Sequence, residues 1–573
     1  MQKTQVVTIL QEMGAILEIT GANPFRVRAF KNGAQALADW EGDLAGWVAD
    51  GRITEISGIG KGLASLITDL VTNGGSKDYD DLCELVPRGV LEMRKLPGLG
   101  PKKVALLYNE LGVSSIAELK DACEAGEVSR LKGFAKKTED EILARIARTK
   151  RFEGRHRIPA MERVAAIFRD AVAAANGTES VTVSGSLRRH CETIGDIDIL
   201  CISADPGAAR DAFLAVPEVL EHEAEGDTKC RVVVADEIGV DLRVVEHSAA
   251  PAALMYFTGN KQHNTILRGR ARERGWKLNE YGLFDENGRA LPGTTEADLY
   301  KHLGLAYVPP ELREGMGEVD LAATIEEWPE LLQVDDLQGV VHCHTTASDG
   351  RNTLEEMVAG AVAQGWGYLG IAEHSRSAGY VGGLSIDALR ARGEVIAALN
   401  AQLDGFAVWH GTEVDILPDG ALDYPDDVLA ELDYVVASVH SHFSLSKEEQ
   451  TARIEAALRN PLVSVWGHPT GRLLLKREGY DLDMDHLLQV AAAENVIVEL
   501  NALPNRLDLD WRWGARAREL GVQVGIFPDS HSVEGLADVR YGVGIARKGG
   551  YSKDDIVNTR NADDMLKALR QRR

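Results

Sequence analysis

Features that tie a chain to an oxidising compartment or to a membrane are scarce. Six cysteines (83, 123, 191, 201, 230 and 343) are scattered through 573 residues with no C-x-x-C pair. That spacing excludes a small disulfide-stapled fold and points to a reducing cytoplasm. No apolar run approaches the ~18 residues that a membrane span needs. Met1-Gln2-Lys3-Thr4-Gln5 leads into a segment broken by Gln11 and Glu12, without the layout of a signal peptide. Aromatic residues make up only 6%, but 45% hydrophobic and 26% charged are ordinary globular values. They exclude a mainly disordered or collagen-like chain. The length predicts about three or four domains.

Positive charge is also in short supply: 63 Lys and Arg stand against 88 Asp and Glu, a net charge of −25. The imbalance is uneven, −9 over 1–320 and −16 over 321–573. Within 261–277, Lys261, Arg268, Arg270, Arg272, Arg274 and Lys277 oppose only Glu273, a local +5. Binding to a polyanion depends on such local basic surface, which releases counterions, and not on the global sum.

Residues 1–150 read as helices with short loops. Ile56-Ser57-Gly58-Ile59-Gly60 and Leu96-Pro97-Gly98-Leu99-Gly100 lie 40 residues apart and lead into apolar-periodic segments, 63–71 and 103–111. Leu131-Lys132-Gly133-Phe134-Ala135 is a degraded third copy. Glycines let a backbone approach phosphate, and a helix N-terminus offers it N–H groups. Lys61, Lys102 and Lys103 follow the second glycines and add charge. One loop alone would be an ordinary helix–helix turn with a glycine cap. Two copies with basic residues in the same place favour a sequence-independent DNA clamp through Gly58, Gly60, Lys61, Gly98, Gly100, Lys102 and Lys103.

From about residue 180 the pattern changes to period two: Val181–Val183, Ile197–Ile202, Arg231–Val234 and Val240–Val245. These predict a sheet with helices around it. Residues 251–318 are turn-rich, and the acidic stretch from Gly315 to Asp336 reads as a linker. Beyond it, short apolar strands alternate with Ala/Leu-rich helices, as in an α/β barrel or an open parallel sheet.

Asp196 and Asp198 stand two apart on a predicted strand, so both carboxylates face one side. Asp241 lies on another predicted strand. Three converging carboxylates make a hard-oxygen site for Mg²⁺ or Mn²⁺. Two such ions suit activation of a 3′-hydroxyl and release of pyrophosphate. The Gly185-Ser186 turn and Arg189 are placed to hold the phosphates of an incoming nucleotide. Asp-x-Asp alone is usually a solvated strand edge. The full string, Gly185-Ser186 and then Gly195-Asp196-Ile197-Asp198-Ile199, is the nucleotidyltransferase signature.

At this point the chain resembles the bacterial family X DNA polymerases. Asn23-Pro24-Phe25-Arg26-Val27-Arg28-Ala29-Phe30 resembles their N-terminal motif, followed by the hairpin loops in order. Tyr256-Phe257-Thr258-Gly259 resembles the segment that packs under the nucleotide sugar and screens out a 2′-hydroxyl. Asn264 and Arg268 follow at the family spacing for contacts to the nucleotide base and the template strand. Gly275-Trp276-Lys277-Leu278-Asn279-Glu280-Tyr281-Gly282-Leu283 and the run Leu303–Glu314 match the end of the polymerase core, so residues 1–318 are covered nearly throughout. The resemblance assigns Gly185, Ser186, Arg189, Gly195, Tyr256, Phe257, Gly259 and Asn264 to the nucleotide. One departure stands out. The family's lyase lysine, eight residues after the first glycine of the first hairpin, is here Leu66.

Nine of the fifteen histidines fall between 342 and 531. Successive apolar runs end in His342-Cys343-His344 with Asp349 nearby, Glu373-His374, Glu413, His440, His468, Glu499-Leu500-Asn501, and Asp529-Ser530-His531. A (β/α) barrel builds its active site at such strand ends. His342/His344 and Asp529/His531 are i, i+2 pairs that can face one centre. Imidazole with carboxylate suits Zn²⁺, Mn²⁺ or Fe, and a bridging water made acidic by them attacks phosphorus. His410, His442 and His486 read as structural, and Cys343 as core. The set resembles the polymerase-and-histidinol-phosphatase (PHP) domain over 337–573. That resemblance implies a distorted (β/α)₇ barrel with three ions, held by His342, His344, Asp349, His374, Glu413, His440, His468, Asp529 and His531.

The expected architecture is multidomain. It has helix-hairpin-helix regions at 1–85 and 86–150, an α+β nucleotidyltransferase palm at 151–248, a thumb at 249–318, a linker at 319–336 and the PHP barrel at 337–573. The expected function is gap-filling DNA synthesis in repair with a metal-dependent 3′→5′ exonuclease, abasic-site endonuclease or 3′-phosphatase activity. The expected partners are gapped or primer–template DNA with a 5′-phosphate and dNTPs, met by a monomer near the nucleoid, with no membrane. The competing readings are a small-molecule phosphatase tethered to a DNA-binding region, and a non-catalytic DNA scaffold.

Overall fold

Helices fill the first part of the chain, as the loop and periodicity pattern predicts. The computed structural model describes every residue except Gln2, Glu41, Asp43, Glu84, Lys95, Pro97, Gly98 and Arg573. Contacts divide the chain into two units, Met1–Glu153 and Gly154–Arg573.

In the first unit, helices α1 (Lys61–Asn73), α2 (Pro101–Leu111) and α3 (Lys136–Phe152) each follow one of the three glycine loops. The loops share one hydrogen-bonded turn. Ile59 N donates to Ile56 O at 3.0 Å, Leu99 N to Leu96 O at 3.1 Å and Phe134 N to Leu131 O at 3.1 Å. Gly58 and Gly133 take φ of +94° and +102°, a region that favours glycine. The third loop is therefore intact in backbone and lacks only the second glycine, replaced by Ala135. Gly60 and Gly100 begin their helices with no side-chain cap, and of the two helices only α1 has an N–H at its first residue, since α2 starts at Pro101. Gly98 lies outside the described residues. Leu66 is buried in this unit's apolar core with Leu63, Ile67 and Leu70.

The second unit begins with a five-stranded mixed sheet: β1 (Thr178–Val183), β2 (Asp196–Ser203), β3 (Glu221–Glu225), β4 (Lys229–Val233) and β5 (Gly239–Val245), in the order β1-β2-β5-β4-β3. Strands β2 and β5 are parallel neighbours, with Asp198 level with Asp241. Edge strand β3, Glu-His-Glu-Ala-Glu, is mostly exposed and has no apolar face, so no periodicity announces it.

Helices α4 (Ala250–Thr258) and α5 (Lys261–Glu273) open the thumb, which has its own core around Leu267, Tyr300, Leu303 and Val308. The stretch expected to be a linker is packed instead. Glu318 begins a helical turn, Glu318–Ala322, and is buried against His263 at 2.6 Å. Its carboxylate also accepts from Gly315 N and Met316 N. Leu331 and Leu332 are buried, and Leu332 N donates to Tyr551 O. Glu318 and Asp336 have internal partners, while Asp320, Glu326, Glu327, Glu330 and Asp335 are exposed on a segment whose Leu331 and Leu332 pack.

Seven parallel strands then follow in sequence order: β6 (Gly339–Cys343), β7 (Tyr368–His374), β8 (Ala407–Asp415), β9 (Tyr434–Ser438), β10 (Val465–Trp466), β11 (Ile497–Asn501) and β12 (Val524–Phe527). A parallel bridge between Cys343 and Ser530, with His344 N donating to Ser530 O at 2.8 Å, closes the ring. The strands form a nearly closed barrel, not an open sheet. Cys343 is buried, as expected.

Helix α6 (Val539–Lys548) joins barrel to palm. Tyr541 OH donates to Glu162 at 3.0 Å and Arg547 Nε to Glu311 at 2.7 Å. Lys548 Nζ donates to Arg189 O at 3.1 Å and to the Glu314 carboxylate. The palm and barrel cores form one continuous apolar cluster. Among the described residues no helix is long and apolar enough to cross a membrane.

Candidate active sites

The palm carboxylates meet because two parallel strands bring them level. Asp196 and Asp198 project from one face of β2, and Asp241 stands beside Asp198 on β5. Burial first, then Asp196 and Asp241, push Asp198 up to about 7. Asp241 is also raised, by burial above all, with Arg231 opposing. A half-dry cluster that resists its own ionisation gains most from a small divalent cation, so the donor set fits Mg²⁺ or Mn²⁺.

Gly185 lies against this cluster with φ of +63°. A methyl group there would overlap Asp198 Oδ2 and lie 2.9 Å from its Cγ. Only glycine lets the Gly185-Ser186 turn pass so close. Gly195 immediately precedes β2. Arg189 Nη1 donates to Thr258 O at 2.6 Å and its Nε to Glu314 at 3.1 Å. Arg188 and Arg313 both hold Glu296, at 2.7 and 2.6 Å. Burial opposes ionisation of Glu296, but Arg313 and Arg188 keep its carboxyl below the ordinary value.

Tyr256 and Phe257 end α4 just before Gly259, their rings 5.2 Å apart and nearly perpendicular. Asn264 Nδ2 donates to Tyr256 O at 2.7 Å. Tyr256, Asn264 and Arg268 share one small pocket with Asn279. The residues expected at the nucleotide thus lie at the Gly185 turn with Arg189 just after it, just before β2 (Gly195), and on α4, α5 or the Gly259 junction between them. Glu296 and Glu314, which orient Arg188 and Arg189, were missed because those pairings span more than a hundred residues of sequence, and Arg313, 17 residues from Glu296, was missed with them.

In the barrel, the nine expected ligands converge. Glu413 is the hub. Its Oε1 lies 3.3 Å from His342 Nε2, 3.2 Å from His440 Nε2 and 2.8 Å from His468 Nε2. Its Oε2 lies 2.9 Å from His374 Nδ1 and 3.7 Å from His344 Nε2. Asp529 Oδ1 is 3.3 Å from His344 Nε2, and Asp349 reaches His374 at 3.6 Å and His531 at 3.3 Å. Three donor groups result: His344/Asp349/His374/His531, His342/His344/Asp529 and His374/Glu413/His440, each within 4.8 Å. They share His344 and His374, and His468 stands outside them on Glu413.

Backbone strain concentrates here. His342, His468 and Asp529 have positive φ of 61°, 24° and 48°. Non-glycine residues hold that region only where surroundings over-determine it. Outer partners orient the ligands: Glu499 takes His342 Nδ1 at 2.6 Å, and Asp415 takes His440 Nδ1. Burial pushes His344 down to about 3, helped by His374 and His531. Burial and Arg506 do the same for His468. Both are neutral near pH 7, the form with a lone pair to give. Against burial, Glu413 and Asp349 raise His374 to about 10.

Several buried atoms in this cluster have no hydrogen-bond partner: His342 Nε2, both nitrogens of His344, His374 Nδ1, His468 Nδ1 and Glu413 Oε2. Such atoms are costly unless something else satisfies them. Their chemistry fits Zn²⁺, Mn²⁺ or Fe. His410 and His486 lie elsewhere, on Asp433 and Glu455, and His442 is in none of the three groups. Arg506, with Nε 3.4 Å from Asp529 Oδ2, was missed, since its loop carries no local pattern.

The similarities of the chain agree with this division. A helix-hairpin-helix domain model matches residues 1–76, a SAM-like helix-hairpin-helix tandem 90–148 and a DNA polymerase beta thumb 253–314. A probable phosphatase of Thermoanaerobacter sp. is 27% identical over 29% of this chain and 69% of its own. DNA polymerase lambda of Rattus norvegicus is 26% identical over 45% of this chain and 48% of its own. The DNA polymerase/3′-5′ exonuclease PolX of Bacillus subtilis is 38% identical over the full length of both chains. With a palm whose carboxylates meet on one face and a barrel closed around a histidine-carboxylate cluster, the chain belongs to the bacterial family X DNA polymerases that carry a C-terminal PHP domain.

Proposed function

We propose that the chain fills short gaps in DNA by adding deoxynucleotides to a 3′-hydroxyl, and that its barrel trims 3′ ends. The observation that carries this reading is the register of β2 and β5, which sets Asp198 beside Asp241 with the Gly185 turn against them.

Asp196, Asp198 and Asp241 hold the ions in the palm. Two Mg²⁺ or Mn²⁺ ions, when bound, make the 3′-hydroxyl a better nucleophile and neutralise the departing pyrophosphate. The amides of the Gly185-Ser186 turn and the Arg189 guanidinium take the triphosphate, while Gly195 keeps the approach to Asp196 clear. Tyr256, Phe257 and Gly259 bear on the sugar, Asn264 on the base, and Arg268 on the template strand. The amides after Gly58-Gly60 and Gly98-Gly100, with Lys61, Lys102 and Lys103, take phosphodiesters and the 5′-phosphate of a gap.

In the barrel, His342, His344, Asp349, His374, Glu413, His440, His468, Asp529 and His531 hold three ions. Mn²⁺, Zn²⁺ or Fe there supplies an acidified water to attack phosphorus. Glu499 and Asp415 fix the tautomers of His342 and His440, and Arg506 offers its guanidinium to the phosphate. The protein works as a monomer on gapped DNA.

The test is one labelled gapped DNA, incubated with and without dNTPs, in Mg²⁺ or Mn²⁺. Extension with dNTPs and shortening without them are expected. Asp196→Ala or Asp241→Ala abolishes extension and spares shortening; near-normal extension by either removes the two-metal assignment. Phosphate release from small phosphomonoesters but not from DNA ends would favour the small-molecule phosphatase reading. Neither activity would leave the scaffold.

A further inference from the structure

Arg231 has no place in the reading above, yet it sits on the polymerase carboxylates. It lies on β4 directly opposite Asp241. Its Nη1 donates to Asp241 Oδ2 and stands 3.8 Å from Asp196 Oδ2. Its Nε is tied separately to Glu223 on edge strand β3, at 2.7 Å. The backbone leaves room for this arrangement. A methyl group at Gly239, two residues before Asp241, would lie 2.9 Å from Arg231 Cζ. Register, tether and clearance thus put one guanidinium on an oxygen of the ion-holding set. A guanidinium and a divalent ion repel each other and compete for that oxygen.

The geometry points to Arg231 as a displaceable counter-cation of the polymerase centre. It neutralises Asp241 until a divalent ion takes that carboxylate. Held by Glu223 through Nε, it then turns the freed Nη1 to a phosphate of the bound DNA, the terminal phosphodiester of the primer strand. Arg231 is a positioning residue in this scheme, which rests on the polymerase reading of Asp196, Asp198 and Asp241. Two effects of opposite sign follow. Removing the guanidinium tightens divalent-ion binding and weakens the hold on the primer end. A merely structural arginine would weaken both.

The experiment titrates the full-length protein with Mn²⁺ and follows free ion by electron paramagnetic resonance. The Asp196→Ala/Asp241→Ala chain is subtracted to remove the barrel's share. Arg231→Gln is expected to lower the half-saturating Mn²⁺ concentration about two- to five-fold, because a partly solvated ion pair is a modest competitor. Gly239→Ala, which crowds the guanidinium without deleting it, shifts Mn²⁺ binding the same way and keeps the test open if Arg231→Gln folds poorly. For the primer contact, gapped DNA with a neutral methylphosphonate at the last primer linkage is compared with ordinary DNA in Ca²⁺. The wild type binds the neutral version more weakly, and Arg231→Gln binds the two alike. Unchanged or weakened Mn²⁺ binding in both variants overturns the inference, provided that the double Asp variant has lost ions. If that variant keeps every ion and still extends primers, the polymerase-site reading itself fails.

Discussion

Gly185→Ala tests the closest approach in the palm. The new methyl overlaps Asp198 Oδ2 and lies 2.9 Å from Cγ, where optimal carbon contacts need about 3.5 Å or more. Either the Asp198 carboxylate rotates away or the turn retreats, by roughly 1 Å in each case. Alanine at a φ of +63° adds roughly 1–2 kcal/mol of backbone cost. An Asp198 forced off its rotamer adds about 0.5–1.5 kcal/mol. Folding stability therefore falls by about 2–3 kcal/mol, enough to lower Tm by several degrees without unfolding the unit. Catalysis suffers more, since a displacement of this size at the reacting centre costs on the order of 100-fold. Single-turnover extension on a one-nucleotide gap measures the rate, and scanning calorimetry measures the stability. Gly207→Ala is the control, because its nearest atom would be Asp205 Oδ1 at an ordinary 3.4 Å. Extension by Gly185→Ala within threefold of wild type would refute the reasoning, for then the turn does not define the position of Asp198.

The barrel gives a mirror-image result. His342→Ala with His344→Ala, or Asp529→Ala, loses 3′-end trimming and bound transition metal, while extension survives. Chelation of the wild type lowers Tm, because ions that bind only the folded state stabilise it; a metal-free protein that Mn²⁺ cannot activate would sink the assignment. At the hairpins, the protein prefers a gap with a 5′-phosphate yet shows little 5′-deoxyribose-phosphate lyase activity. Schiff-base chemistry needs an accessible amine, and the family's lysine position is a buried leucine, Leu66. Borohydride trapping on an incised abasic site checks this, and a strong adduct that vanishes in Lys61→Ala would show that another lysine has taken the role.

What the sequence made legible was whatever is local. Asp196 and Asp198 share a face by strand periodicity alone, and His342/His344 and Asp529/His531 do so by the same rule. The glycine loops announced their helices because a positive φ and a free N-terminus need specific residues in a row. Pairings across the chain were not legible. Arg231 meets Asp241 only through the β4–β5 register, and Glu314 meets Arg189 at a separation of 125 residues. The stretch after Gly315 looked like a linker because acidic residues imply solvent, but Glu318 has His263 and two backbone amides for partners. The third hairpin was legible as a degraded copy despite Ala135, and its turn, Phe134 N to Leu131 O, is preserved.

The contact between barrel and palm bears on why the two activities share one chain. Arg189, the arginine assigned to the triphosphate, is held by Glu314, and Glu314 is held in turn by Lys548 of α6. Lys548 also takes the backbone oxygen of Arg189 at 3.1 Å. Lys548 is buried, so its charge is tolerable only while Glu314 answers it. On the same helix, Gly544 packs against His190, the residue after Arg189, where a methyl group would meet the imidazole. The barrel therefore supplies part of the floor beneath the turn proposed to hold the nucleotide. A palm cut free of its barrel would expose an apolar core continuous with its own and leave Glu314 to Arg189 alone, a stronger rival for the guanidinium that is proposed to take the triphosphate. Fusion in this chain is thus a matter of packing as well as of convenience: the polymerase centre is completed by the domain that carries the second chemistry.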